Sequence, residues 1–322
     1  MNLTSGIQRG NQSGSHVFIL LGFPGNEYMK TALFILFLIL YILAIMGNFS
    51  ILVLVRCHPQ LHTPMYFFLC NLSFLEIWYT TSCVPKALVI LLGGNPTISF
   101  TNCLLQMYSV FSLGCTEYFL LAVMAYDRCL AICFPLHYSS VMNSTRLTKL
   151  TFASWLCGFL FITIPTYMIS RLSFCRSNVI NHFFCDIASW IALSCTDTSG
   201  LELVAFIISF IVILGSCTIT LVSYIYIIST ILKMPSAIGQ KRAFSTCSSH
   251  LTVVIVWYGS TIFLHVKPSI RDSLDMSKTV HVLNTVVTPF LNPFIYTLRN
   301  KEVKKALKRS CSTYCQRTGL GG

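Results

Sequence analysis

Three of the ten acidic residues in this chain lie inside long apolar runs: Glu76, Glu117 and Asp127, the last followed directly by Arg128. A charge at bilayer depth costs about 3 kcal/mol or more, so such residues usually carry a task. Asp127 and Arg128 can neutralise each other as a structural lock, act as a switch made in one state and broken in another, or mark where a helix leaves the lipid with a snorkelling arginine. Glu76 and Glu117 are carboxyls that resist ionising together, so they share a proton, accept a cation, or form a hydrogen-bonded structural pair. Glu117 precedes Arg128 by eleven residues. That is three turns of helix, which puts both on one face. His182-Phe183-Phe184-Cys185-Asp186 offers imidazole, thiol and carboxylate, donors that suit copper or zinc. Asn292-Pro293-Phe294-Ile295-Tyr296 carries a proline that breaks a helical hydrogen bond, beside an asparagine able to recover the freed backbone group. No His-Glu-x-x-His or nucleophile-elbow spacing occurs, so no enzyme is expected.

The elements that hold these residues follow from composition. The chain is 54% hydrophobic and 10% charged over 322 residues, too apolar for a soluble domain. Seven stretches are long enough to cross a bilayer: 31–55, 65–91, 100–126, 150–170, 201–232, 246–266 and 278–298. They are too long and too uniformly apolar for barrel strands, so the expected class is all-α, a bundle of seven transmembrane helices. The domain reading is a tail at 1–28, the bundle at 29–299, and a cytoplasmic segment at 300–322. In that last segment Lys301–Cys311 reads as a short amphipathic helix on the inner leaflet. There is no internal repeat, and two intramembrane acids are too few to line a conducting path, which argues against a transporter or channel.

Orientation follows the bias of Lys and Arg toward cytoplasmic loops. With the N-terminus outside, fourteen of the 22 basic residues fall on the cytoplasmic face, opposed only by Asp127 and Glu302. Such a face suits the anionic headgroups of a lipid bilayer and acidic protein surfaces, and nucleic acid is not implied. Sequons at Asn2 and Asn11 agree with an external tail open to glycosylation. Most of the fifteen cysteines lie in the spans, but Cys103, Cys175, Cys185 and Cys195 fall on the outer side. That side is oxidising, so two bridges are expected, and spacing alone leaves three pairings open. Disulfide use of Cys185 would remove the metal reading of its neighbourhood.

Four blocks resemble one family. Leu61–Glu76, Met124–Tyr138, Lys241–Leu251 and Pro289–Asn300 are similar, in that order, to the motifs of the odorant receptors among rhodopsin-like G-protein-coupled receptors. The resemblance implies disulfides Cys103–Cys185 and Cys175–Cys195. It makes Asp127-Arg128 the G-protein switch, held together at rest, with Tyr224, Asn292, Pro293 and Tyr296 rearranging around it. Cys129 stands where the family has tyrosine, which puts the resting bias in question. A sodium ion at Glu76 and Glu117, completed by Asn48 and Asn292, is implied as the one possible cofactor. By family position Val110, Phe111, Gly114, Cys115, Tyr118, Ile208, Val212, Tyr258, Thr261, Ile262, His265 and Thr285 line a mostly apolar cavity. Its ligand would be a small volatile odorant, and Tyr258 would sense it. No acid belongs to that set, so amines are not expected to bind through a salt bridge. The implied partner is a heterotrimeric stimulatory G protein of the olfactory type, and the implied location is the plasma membrane.

Overall fold

The computed structural model describes residues 17–175, 177–266 and 273–299, together with Val303; side chains at 242, 246, 263–266, 273–277 and 297–299 lie outside that description. The sequons Asn2 and Asn11, the amphipathic segment apart from Val303, and the His265 side chain therefore fall outside the described residues. Seven long rods form the bundle. They are α1 Glu27–Cys57, α2 Pro64–Leu91, α3 Phe100–Cys133, α4 Ser144–Ser170, α5 Ser199–Leu232 and α6 Ala237–Val266. The seventh, α7, runs through Ser273–Val282, a π-helical stretch Leu283–Val287, and Thr288–Arg299. Among the described residues, α1 to α5 are each long and apolar enough to cross a bilayer by themselves.

Local chemistry sets the helix starts. Asn26, Ser99 and Asn143 each accept the backbone N–H three residues on, and Pro64 opens α2 at a position where its missing N–H costs nothing. Helices α3, α4 and α6 run past the expected spans, ending at Cys133 and starting at Ser144 and Ala237. Hydropathy reports only the lipid-facing length, whereas backbone hydrogen bonding continues into the polar cytoplasmic turns.

Helix α3 is the central rod. In its most apolar stretch 67% of residues are buried, against 22% for α1 and α5. It packs on α2, α4, α5 and α6, while α1 leans on α2 and α7. Association of helices in lipid depends on close backbone approach through small residues. Gly158 of α4 supplies it: a Cβ there would sit 2.0 Å from Thr116 Oγ1 and 2.9 Å from the Ser112 carbonyl. Outward faces stay apolar; Leu203, Phe206, Phe210 and Leu214 of α5 are exposed.

A small lid closes the outer end. Strand β1 (Val17–Leu20) lies between β2 (Thr97–Ser99), antiparallel, and β3 (Val179–Ile180), parallel. The strand occupies part of what reads as tail in the sequence. Phe18 anchors it, its ring 5.0 Å from Trp190 and 5.7 Å from Phe174. The disulfides Cys103–Cys185 and Cys175–Cys195 tie this lid to α3 and to itself, with Cα separations of 5.5 and 5.9 Å.

Candidate functional site

Beneath the lid lies a cavity of about 720 Å³, within the usual range for small-molecule sites. Its apolar wall comes from α3 and α5. Val110, Phe111, Gly114, Cys115 and Tyr118 line it along one stripe of α3, with Ile208 and Val212 opposite on α5 and Thr261 on α6. Tyr118 donates to Thr261 Oγ1, and Thr261 donates to the Trp257 carbonyl at 3.0 Å.

Three of the expected residues do not border the cavity. Tyr258 stands behind Tyr118, the rings edge-on at 5.2 Å. Ile262 is 47% exposed on the outer surface of the bundle. Thr285 is fully buried and spends its hydroxyl on the His281 carbonyl at 2.7 Å. Trp257 lines the cavity instead, 5.6 Å from Tyr118 and 6.3 Å from Tyr79. One helical step is a rotation of about 100°, so Trp257 and Thr261 share the inner face while Tyr258 and Ile262 share the next. Motif alignment gives the residues near a site; helix rotation decides which of them face it.

The outer end holds residues the sequence pattern did not select. Asn181, His182, Asp186 and Ser189 of the lid loop, with His281 of α7, border the cavity. An acid is therefore present, against the expectation of none. Burial pushes the His182 imidazole down to about 3, aided by the charge of Lys278, so the ring is neutral. Asp186 is pushed above the ordinary carboxylate range by burial, an effect its Ser189 bonds oppose. Cys185 is consumed in its disulfide, and no three metal-ligating side chains cluster among the described residues.

Below the cavity floor the two membrane acids are fully buried. Asn292 donates to Glu76 Oε1, and Glu76 and Glu117 lie within electrostatic reach of each other. Both Glu117 oxygens, Glu76 Oε2 and Asn292 Oδ1 lack any hydrogen-bond partner. Four orphaned oxygens in one polar set suit a hard monovalent cation better than a soft metal. The Asn48 amide nitrogen donates to the carbonyls of Ala44 and Pro289 and clamps α1 to α7.

At the cytoplasmic end the expected Asp127–Arg128 contact is replaced. Asp127 Oδ1 accepts the Tyr138 hydroxyl at 2.8 Å, and Arg128 donates to Met65 Sδ. The one ion pair among the described residues is Lys30–Glu27. Tyr224 bonds His250 Nδ1 of α6 at 2.7 Å. Tyr296 is buried with its hydroxyl unpaired. Tyr138 lies eleven residues after Asp127, and its role was legible only as part of the Pro-Leu-His-Tyr block.

Comparison with known proteins agrees with this architecture. The family model described as "Olfactory receptor" matches residues 37–313. Olfactory receptor 6F1 of Homo sapiens is 68% identical over 301 residues, covering 94% of this chain and 98% of that protein. Olfactory receptor 287 of Rattus norvegicus is 65% identical over 300 residues, covering 93% and 96%. The crystal structure of squid rhodopsin aligns with a TM-score of 0.71 at 15% identity, over 91% of this chain and 84% of that one, a likeness of fold. A multi-pass bundle of the rhodopsin-like fold with these relatives is a receptor and not an enzyme, and the chain belongs to the olfactory receptor family.

Proposed function

We propose that the cavity under the lid binds small, mostly apolar volatile odorants, and that binding favours a state in which α6 swings outward at its cytoplasmic end. The opened face then engages a stimulatory G protein of the olfactory type and raises cAMP. The observation that carries this reading is the course of α6. Trp257 borders the cavity, and His250, seven residues away on the same rod, holds Tyr224 of α5. Seven residues span roughly 10 Å of helix, so a tilt imposed at the cavity is felt at that seam. Arg128 lies at the same level, its charge acting on Tyr224, Cys247, His250 and Tyr296. A ligand drives the change only through its differential affinity for the two states. The test is a cAMP reporter in cells supplied with the olfactory stimulatory α subunit, exposed to a broad odorant panel. Arg128→Gln is expected to abolish the evoked signal at unchanged surface density; a normal response removes Arg128 from the switch.

The location proposed is the plasma membrane with the N-terminus outside, supported by two disulfides on the lid side and the basic opposite face. An N-terminal tag readable on intact cells tests it. For the acid pair we propose a bound sodium ion, supported by the orphaned oxygens of Glu76, Glu117 and Asn292. Replacing choline chloride by sodium chloride should raise the unfolding temperature of the receptor and leave that of Glu117→Gln unchanged. Equal shifts in both proteins would remove the ion.

A further inference from the structure

Asp186 has a place in the lid that its structural duty does not exhaust. It caps the short helix Ile187–Leu193, accepting the Ser189 backbone N–H at 3.3 Å and the Ser189 hydroxyl. Both bonds fall on Oδ1. Oδ2 accepts no hydrogen bond from any other described residue and forms no ion pair with one, although the residue's own backbone N–H and the His281 ring act on the carboxyl. The side chain borders the cavity although the residue is only 7% exposed. Nearby donors are engaged with other partners. Lys278 Nζ donates to Asn181 Oδ1 at 2.8 Å, and the His281 ring, which acts on Asp186 through space, packs edge-on against His182 and Phe184 at 5.1 and 5.2 Å. Below Asp186 the wall is Val110, Phe111, Ile208 and Val212. A carboxylate thus turns one oxygen that no other described residue bonds toward the end of an apolar chamber.

We propose that Asp186 Oδ2 anchors the ligand, so that this receptor selects volatiles carrying a hydrogen-bond donor, an alcohol or an amine, on an apolar body. This rests on the odorant cavity proposed above. An O–H or N–H from a ligand gives the spare oxygen, which borders the cavity, a hydrogen bond that no other described residue gives it. An aldehyde, ketone or ester presents only acceptor oxygens, which the carboxylate repels. A site built around one buried polar group discriminates more sharply than an apolar wall that merely measures size. An amine adds a full countercharge, which no ion pair supplies to Asp186 among the described residues, and an alcohol adds the hydrogen bond alone.

The test uses the full-length receptor in lipid nanodiscs, with affinity read from the ligand-dependent rise in unfolding temperature, which needs no G protein. Two matched sets serve as probes: benzylamine, benzyl alcohol, benzaldehyde and toluene, and octylamine, octanol, octanal and octane. The alcohol and amine of each set are expected to bind about tenfold more tightly than the aldehyde, with the amine above the alcohol. Asp186→Asn keeps the helix cap, since asparagine caps as well as aspartate, and replaces an acceptor oxygen by an amide N–H. It should erase the preference, favour the aldehydes, and leave toluene and octane unchanged. Equal binding of alcohol, amine and aldehyde by the unsubstituted receptor overturns the anchor, as does a preference that survives Asp186→Asn. Hydrocarbons that bind without any such preference leave the cavity reading standing and sink only the anchor. If no compound binds, the cavity reading falls and the anchor with it. The comparison within the unsubstituted receptor decides the matter even where Asp186→Asn fails to fold.

Discussion

Tyr138, in the short helix after α3, donates its hydroxyl to Asp127 Oδ1 at 2.8 Å across the cytoplasmic end of the bundle. Burial and the adjacent Asp127 charge hold Tyr138 well above the ordinary tyrosine range, so it remains a donor at every physiological pH.

Tyr138→Phe should therefore release Asp127 and raise signalling without odorant. Leaving a buried carboxylate acceptor unpaired costs about 1–3 kcal/mol. Ligand-free cAMP, normalised to surface density, is the measurement. Unchanged basal signal would mean that the bond positions the loop and does not bias the switch.

Acid should loosen the lid through His182. Its folded value of about 3 lies below the usual 6.5, because burial disfavours the imidazolium. A depressed histidine stabilises the fold above pH 6.5, and that stability is lost as pH falls from 6.5 toward about 3. At pH 5 the loss is about 2 kcal/mol. Asp186, raised by burial, acts in the opposite sense at lower pH. Comparing unfolding at pH 7.4 and 5 in the receptor and in His182→Phe isolates the histidine. The substituted protein should show the smaller drop.

Gly158→Ala should be among the most disruptive small substitutions in the bundle. The added methyl meets Thr116 backbone nitrogen at 2.8 Å and Ser112 carbonyl oxygen at 2.9 Å, atoms that cannot swing away. Overpacking of this kind costs about 1–3 kcal/mol. Gly259→Ala, with nothing within 4 Å of its new Cβ, should be neutral or gain about 0.5–1 kcal/mol of helix preference. Thermal unfolding of the two variants, measured side by side, gives opposite signs if α3 and α4 are packed as described.

Breaking the Cys103–Cys185 bridge should cost about 2–5 kcal/mol, since it closes a long loop across 82 residues of separation. Cys103→Ser, Cys185→Ser and the double substitution should lose surface delivery to the same degree. A double variant far worse than either single one would argue against a shared bond.

Much of the fold was legible in residue order. Seven apolar runs of bilayer length allow only helices, because a backbone in lipid must satisfy its own hydrogen bonds. Four motif blocks named the family, and the two disulfides follow the pairing the resemblance implied. Eight of the twelve expected cavity residues border it, chiefly on α3, whose inward stripe is set by periodicity. Tyr258 and Ile262 missed by one helical step, since α6 carries apolar or aromatic residues on both adjoining faces and its rotation is fixed only by packing against α7, α5 and α3. Asp186, read in the sequence only as a candidate metal donor, was missed as a cavity residue for another reason. It lies in a loop between spans, where no periodicity operates, and only the Cys103–Cys185 bridge and the β1 lid fold that loop over the cavity. The sequence by itself determined membrane, helix count and family, because each follows from local composition or short motifs. Tertiary structure decided which side chains face the ligand and that Asp127 turns to Tyr138, because those outcomes depend on rotation and on contacts between segments far apart in the chain.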